Sequence, residues 1–387
     1  MTRVAFILEG HTFQGSVNYF RNLFAALALL PGRPVVPCVF VGTEAPADLV
    51  STLQDAEVIR TSLLDERAFL GRVRRRLKRM LGGRDPLLAM QLRRAGIRVV
   101  SHSGTFPHGT FKTVGWIPDF QHTYLPAFFD EAERGRRDAE FRALASGCDI
   151  VVVSSKAAQD DLAAFAPEAV ARSRVLRFVP SIGGTAAVPL AELEARYGFR
   201  APYFYMPNQF WIHKNHRLVI DALARLKQDG VSTTVLMTGS TKDYRHPHHY
   251  DELVAHAHTL GVGDAFRVLG MVPYPDLLSL MQHAVAVLNP SLFEGWSSSV
   301  EEAKALDRTV LLSNLPVHLE QDPPRGVFFD PTDAADLASK MKHVLEVSDP
   351  ADQPVTSFTM SRQYGNDRLC FAETYRRIVV ELVGEPT

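Results

Sequence analysis

With 387 residues the chain exceeds what one hydrophobic core usually organises, so two domains of about 180 residues each are expected. An apolar fraction of 46% beside 22% charged residues excludes a disordered or fibrous chain, and no apolar run reaches membrane-spanning length. Net charge is −1 and no nucleic-acid partner is expected, but the balance is uneven: residues 1–190 carry 24 Lys/Arg against 18 Asp/Glu, the remainder 18 against 25.

The start, Met1-Thr2-Arg3 followed by Val4 to Leu8, has too short an apolar stretch before Glu9 for a signal-peptide core, so a cytoplasmic location is expected. Cys38, Cys148 and Cys370 are far apart and lack metal-ligand spacing, which suggests buried core thiols in a reducing compartment.

Short β-branched runs alternate with stretches of helical periodicity, the sequence form of a parallel α/β sheet. Strands are expected at 4–8, 35–41, 97–101, 113–117, 149–153 and 174–178, with helices at 17–30, 66–81, 131–146 and 155–165. The C-terminal part of helix 66–81 is dense in charge: Arg72, Arg74, Arg75, Arg76, Lys78 and Arg79 interleave with Val73, Leu77, Met80 and Leu81. Such a basic amphipathic helix, 72–81, suits either solvent or anionic lipid headgroups, the latter placing the chain peripherally at the inner face of a membrane.

After Gly183-Gly184-Thr185 a second series begins, with strands at 203–206, 233–238, 265–269, 285–289, 309–312 and 326–329. Helices at 215–229, 248–260, 273–284, 297–306 and 333–346 alternate with them. The expected division is a first Rossmann-like domain 1–182, a linker 183–200, a second Rossmann-like domain 201–365, and a C-terminal helix and tail 366–387. Ligands of such sheets bind beyond the carboxyl ends of the strands, so two facing domains would hold one in the cleft between them.

The richest stretch for chemistry is Asn289-Pro290-Ser291-Leu292-Phe293-Glu294-Gly295-Trp296-Ser297-Ser298-Ser299-Val300-Glu301-Glu302, which follows a strand and opens a helix. Helix-start amides and the hydroxyls of Ser297, Ser298 and Ser299 make a phosphate cradle, and the flanking carboxylates suit sugar hydroxyls. An N-capped surface helix with ordinary glutamates fits the same residues. His246, His248 and His249, with Asp243 and Asp251, lack fixed metal-ligand spacing; no metal site or cofactor is expected.

Glu294 and Glu302 stand in the Glu-x7-Glu spacing of the family-4 retaining glycosyltransferases, and this stretch resembles theirs, although Trp296-Ser297 departs from the usual pattern. The resemblance extends over the chain, more specifically in 200–330, and points to a bacterial surface-polysaccharide branch similar to mannosyltransferases of O-antigen assembly. It implies a GT-B fold, with the C-terminal helix returning to the first domain. It also implies a nucleotide-diphosphate sugar donor, GDP- or UDP-linked, held by Glu294 at the sugar, Glu302 at the ribose and Ser298 and Ser299 at the diphosphate.

In Met206-Pro207-Asn208-Gln209-Phe210-Trp211-Ile212-His213-Lys214, Lys214 resembles the family's diphosphate-binding lysine, while Asn208 or Gln209 replaces its arginine. Met271 and Val272 of Gly270-Met271-Val272-Pro273 fall where the family places the base, and Gly239 and Gly15 where it places cleft-lining glycines. In Ile117-Pro118-Asp119 the family's histidine is replaced by Pro118; Asp119 is retained, and His122 or His102 stands as candidate for the vacated role. The implied reaction is metal-independent hexosyl transfer, with retention, to a glycan or lipid-linked saccharide. The alternatives are a non-catalytic nucleotide-sugar or carbohydrate-binding module, or an epimerase or hydrolase on the same fold.

Overall fold

The computed structural model describes residues 1–9, 14–102, 106, 111–182, 186–347, 358 and 360–384, without the side chains of 14–16. The described chain divides into two compact units. The first contains Met1–Phe120, Glu131–Ser181 and the chain from Gly365; the second contains Gln121–Asp130 and Ile182–Tyr364.

In the first unit the elements run β1 (Thr2–Ile7), α1 (Gln14–Leu27), β2 (Val35–Val41), α2 (Ala47–Thr52), β3 (Glu57–Arg60), α3 (Phe69–Met80), α4 (Pro86–Arg94), β4 (Val99–Ser101) and β5 (Lys112–Ile117). After α5 (Gln121–Tyr124), which groups with the second unit, come α6 (Glu131–Gly147), β6 (Ile150–Val153), α7 (Lys156–Phe165) and β7 (Ser173–Val175). The strands form a seven-stranded sheet in the order β3-β2-β1-β4-β5-β6-β7, with every pairing parallel. Because helices cover a parallel sheet on both faces, its strands read as continuous apolar runs, as in Ile150-Val151-Val152-Val153, all buried.

The C-terminal helix, Tyr364–Val383, packs in the first unit from Gly365 on. Its Tyr375 hydroxyl donates to Ser101 Oγ at 2.8 Å, Arg98 donates to Val383 O at 3.1 Å, and Arg174 pairs with Glu381. The expected return of this helix to the first domain is therefore what the packing shows.

The second unit runs α8 (Leu190–Tyr197), β8 (Phe204–Met206), α9 (His216–Gln228), β9 (Val235–Thr238), α10 (His249–Thr259), β10 (Phe266–Gly270), α11 (Tyr274–His283) and β11 (Val287–Asn289). It continues with α12 (Ser298–Ala305), β12 (Val310–Ser313), α13 (Pro316–Gln321), β13 (Gly326–Phe329) and α14 (Ala334–Val347). Its six strands are ordered β10-β9-β8-β11-β12-β13, again with parallel pairing. The apolar stripe of α9, including Leu218, Val219, Ala222, Leu223 and Leu226, packs with Met341 and Val344 of α14 over Phe204 and Met206.

Several expectations are corrected. The stretch expected as the linker, 183–200, contains a helix not expected there: α8 buries Leu193, ends at left-handed Gly198, and is tied to α11 by an ion pair between Arg196 and Asp276; Gly183 to Thr185 lie outside the described residues. Domain 1–182 is not continuous, because 121–130 packs with the second unit: Arg245 stacks on Phe129, His246 meets Phe128 edge-on, and Tyr124 lies 5.2 Å from the Phe293 ring. Cys38 and Cys148 are buried, but Cys370 is exposed on the outer side of its helix.

Arg74 is not on a solvated face either. It is 3% exposed and is held by Asp85 at 2.6 Å and by Glu9, because the first turn of α3 presses its backbone against Asp65 and turns that face inward. A Cβ at Gly71 would lie 1.9 Å from Asp65 O, so only glycine permits this approach.

Candidate functional site

In the second sheet the strand order reverses between β8 and β11, and a doubly wound sheet opens its ligand crevice there, beyond the strand ends. The loops after β8 and β11 carry Lys214 and Glu294. Lys214 Nζ lies 2.6 Å from Glu294 Oε1, with the two side chains 17% and 9% exposed. Ser291 Oγ is 2.7 Å from the same oxygen and 2.8 Å from Asn289 Oδ1. A hydroxyl has one proton, so Ser291 shares it between these acceptors. Both contacts of the Glu294 carboxylate fall on Oε1; among the described residues none is made by Oε2, which leaves it for a hydroxyl donor of a ligand.

Burial works to raise the Glu294 carboxyl, but the charge of Lys214 and its hydrogen bond outweigh it and hold the group below its ordinary 4.5. His213 behaves oppositely: burial, then the Lys214 charge, lower its imidazole to about 3, so it is neutral. His318 is also lowered by burial; its ring Nδ1 lies 2.8 Å from Ser313 O and so carries the proton, and its Nε2 has no partner among the described residues.

Asn215 joins the two loops. Its left-handed backbone (φ 59°) starts α9, and its side-chain amide donates to Pro290 O at 3.0 Å and Pro331 O at 2.9 Å. Asparagine tolerates this backbone better than other non-glycine residues, and here the two hydrogen bonds offset its cost. A third tie is the Leu292 amide, which donates to His213 O at 2.8 Å.

The start of α12 faces the same loops. Its N-cap Ser297 makes no side-chain cap bond; its hydroxyl instead accepts from Asn289 Nδ2 at 2.6 Å, and Ser299 Oγ accepts from the same amide at 3.1 Å. The first turn thus lacks its usual side-chain cap, which suits an incoming anion. Ser297 and Ser299 are buried while Ser298 is exposed. Gln321, from α13, accepts from the Ser297 amide and donates to Ser297 O and to Glu301 at 3.3, 3.0 and 2.9 Å, fixing the turn.

Glu302 accepts from the Tyr274 hydroxyl at 2.9 Å. Met271 is 72% exposed and Val272 half-buried on the loop after β10. Gly239, after β9, has φ 142°, and a Cβ there would lie 2.6 Å from Asn208 O; the β9 loop lies directly on the β8 loop. Asn208 is buried, with its Oδ1 unpartnered among the described residues, and Gln209 is half-buried.

The remaining candidates stand on other elements. Asp119 is in the first unit, where Arg137 donates to it at 2.9 Å. His102 is also there, 3.0 Å from the Tyr19 hydroxyl and 2.8 Å from Ser101 Oγ, within an aromatic shell of Phe6, Phe20, Trp116 and Tyr375; burial lowers it to about 3. His122 is buried against Phe129 in the 121–130 segment. Gly15 lies in the first turn of α1, with its surroundings outside the described residues. No group of three or more His, Cys, Asp and Glu able to hold a metal occurs among the described residues.

Sequence reasoning passed over Ser291, Asn289, Asn215, His318 and Gln321. Ser291 and Asn289 stand in the quoted stretch 289–302 and Asn215 directly follows the stretch 206–214, each signalled by being polar near the end of an apolar strand; the α13 residues carried no signal.

Residues 196–356 match the family model of the Glycosyl transferases group 1. No curated protein sequence matches the chain. Among solved structures, a glycosyltransferase from Rickettsia africae is similar, with a TM-score of 0.67 at 14% identity over 100% of this chain and 99% of that one. Sucrose-phosphate synthase from Thermosynechococcus elongatus gives 0.66 at 15%, over 98% and 97%. HepE of Anabaena, solved in complex with UDP-glucose, gives 0.66 at 14%, over 99% of both chains. The chain thus has the two-domain α/β GT-B fold, and its second unit matches the group 1 glycosyl transferases.

Proposed function

We propose that the chain is a glycosyltransferase whose second unit binds a nucleotide-diphosphate sugar, UDP- or GDP-linked, and delivers a hexose-type sugar to a glycan or lipid-linked saccharide. The carrying observation is the Lys214–Glu294 pair at the reversal of strand order, 2.6 Å apart, beside a helix start without a side-chain cap. The match of 196–356 to group 1, and the UDP-glucose held by HepE on the same fold, support this choice of donor.

In this reading the diphosphate draws the Lys214 ammonium and the first turn of α12, both positive, while Glu294 Oε2 accepts from a donor-sugar hydroxyl and Glu302 from the ribose. Negative charge grows on the leaving diphosphate as the glycosidic bond breaks, and a fixed ammonium and amides stabilise that state most. Retention would follow from the acceptor hydroxyl attacking on the face the diphosphate leaves, with the phosphate oxygen taking its proton; no metal or other cofactor is needed.

The test is turnover of UDP- and GDP-hexoses with a saccharide acceptor, followed by NMR of the new anomeric centre. Product with the donor's configuration supports the reading. Nucleoside diphosphate release that needs no acceptor points to a hydrolase, and no turnover despite donor binding points to a binding module.

A further inference from the structure

We propose that α3 is a docking surface for an anionic lipid membrane. A helix at a protein surface normally turns its apolar stripe inward, and α3 does the reverse. Its inward side buries Gly71 and the paired Arg74, while Phe69 (70% exposed) and Met80 (72%) face solvent. Positions 69, 73, 76 and 80 follow helical spacing, so Phe69, Val73 and Met80 form one outward stripe interrupted by Arg76. Leu70 and Leu81, at the two ends of the helix, are also exposed.

Arg72 and Arg79 flank this stripe on one side and, like Arg76 within it, are exposed. No Asp or Glu occurs between Arg67 and Arg84, and among the described residues the cation of α3 paired with acidic side chains is the inward Arg74. The outward face is therefore apolar and cationic together, which fits neither water nor an ordinary apolar protein partner. It fits the boundary of a bilayer, where apolar side chains enter the acyl region and guanidinium groups meet lipid phosphates. No described helix is long and apolar enough to cross a membrane, so the contact lies along the surface.

The experiment is flotation with vesicles of phosphatidylcholine alone and of phosphatidylcholine mixed with phosphatidylglycerol, at low and high salt. Three proteins are compared: the wild type, the triple variant Arg72→Gln, Arg76→Gln, Arg79→Gln, and the double variant Phe69→Ser, Met80→Ser. All five positions are exposed, so thermal melting should be unchanged, and melting is measured to confirm it. The wild type should float with the anionic vesicles and be released by salt. Each arginine near the surface is worth about fivefold in partition, so the triple variant should lose about a hundredfold. The double variant should lose about tenfold or more, which attraction of charge alone would not produce.

Equal flotation of all three proteins, or none by the folded wild type, overturns the proposal. So does capture on heparin without vesicle binding, which would make the face a site for a soluble polyanion, or wild-type self-association that the double variant abolishes.

Discussion

Lys214 Nζ and Glu294 Oε1 meet at 2.6 Å across 80 residues of sequence, and the contact closes the gap between the loops that follow β8 and β11. Each charge is substantially buried, so each depends on the other, and neither would be stable there alone.

Lys214→Ala should therefore lower stability at neutral pH by about 3 kcal/mol, the cost of a buried carboxylate without its cation. In the wild type the Glu294 carboxyl is depressed below 4.5, so its contribution is present above that pH and is lost as pH falls through the folded value. With Lys214 removed, burial has less opposition and the carboxyl rises; protonation then relieves the variant. The difference in melting temperature between the two proteins should narrow on acidification. A constant difference from neutral to acid pH would show that the pair is not acting through charge.

Asn215 separates backbone need from hydrogen bonding. Asn215→Gly keeps the left-handed backbone but loses the bonds to Pro290 O and Pro331 O, for about 1–2 kcal/mol. Asn215→Ala loses the same bonds and adds about 1 kcal/mol of strain at positive φ. Urea midpoints should rank wild type, then Gly, then Ala; Ala equal to Gly would remove the strain argument.

Gly239→Ala should push the β9 loop away from Asn208, because the added carbon falls 2.6 Å from Asn208 O in a backbone that alanine resists. Nucleotide affinity should fall at least tenfold while the protein remains folded, measured by titration calorimetry. Unchanged affinity would place the ligand elsewhere than beside the β8 loop.

His102 is neutral when folded, with its imidazole lowered to about 3 by burial, against 6.5 when unfolded. The unfolded chain takes up a proton that the folded one refuses, so stability falls as pH drops from 6.5 towards 3. This group contributes a slope of up to about 1.4 kcal/mol per pH unit. His102→Asn, which tolerates the positive φ, should flatten the acid limb of the stability curve by about that amount. His213 and His216, also lowered to about 3, keep the rest of the slope. An unchanged slope would mean that His102 titrates normally.

The buried parallel strands were legible because strands covered on both faces are continuous apolar runs: β2 falls at the residues expected and β6 within one residue; the half-buried edge strand β13 also falls where expected, because Val327-Phe328-Phe329 is apolar and uncharged. β3 was not, since Glu57-Val58-Ile59-Arg60 is a four-residue edge strand with charged ends and a half-buried middle. α8 was hidden in a stretch read as a linker, because one buried leucine in eight residues gives no periodicity. Lys214, Glu294 and Glu302 were singled out from spacing and resemblance, and the fold brings the first two together. The shared proton of Ser291 and the bridging by Asn215 were not, because they depend on loops brought together from far apart. Arg74 shows the limit most clearly. Its helix reads as uniformly basic, and only the fold shows that Asp85 and Glu9, the latter 65 residues away, take this arginine inward.

The most direct test is a thermal-shift series of UDP, GDP and their hexose conjugates on the wild type and on Lys214→Ala, each compared with its own ligand-free melt. A ligand that binds only the folded state raises the melting temperature in proportion to the logarithm of its excess over Kd. The account predicts that one nucleoside diphosphate and its sugar conjugate stabilise the wild type and that both shifts are abolished in the variant. An equal shift in the two proteins would contradict the role of Lys214, and no shift in the wild type would contradict the donor site itself.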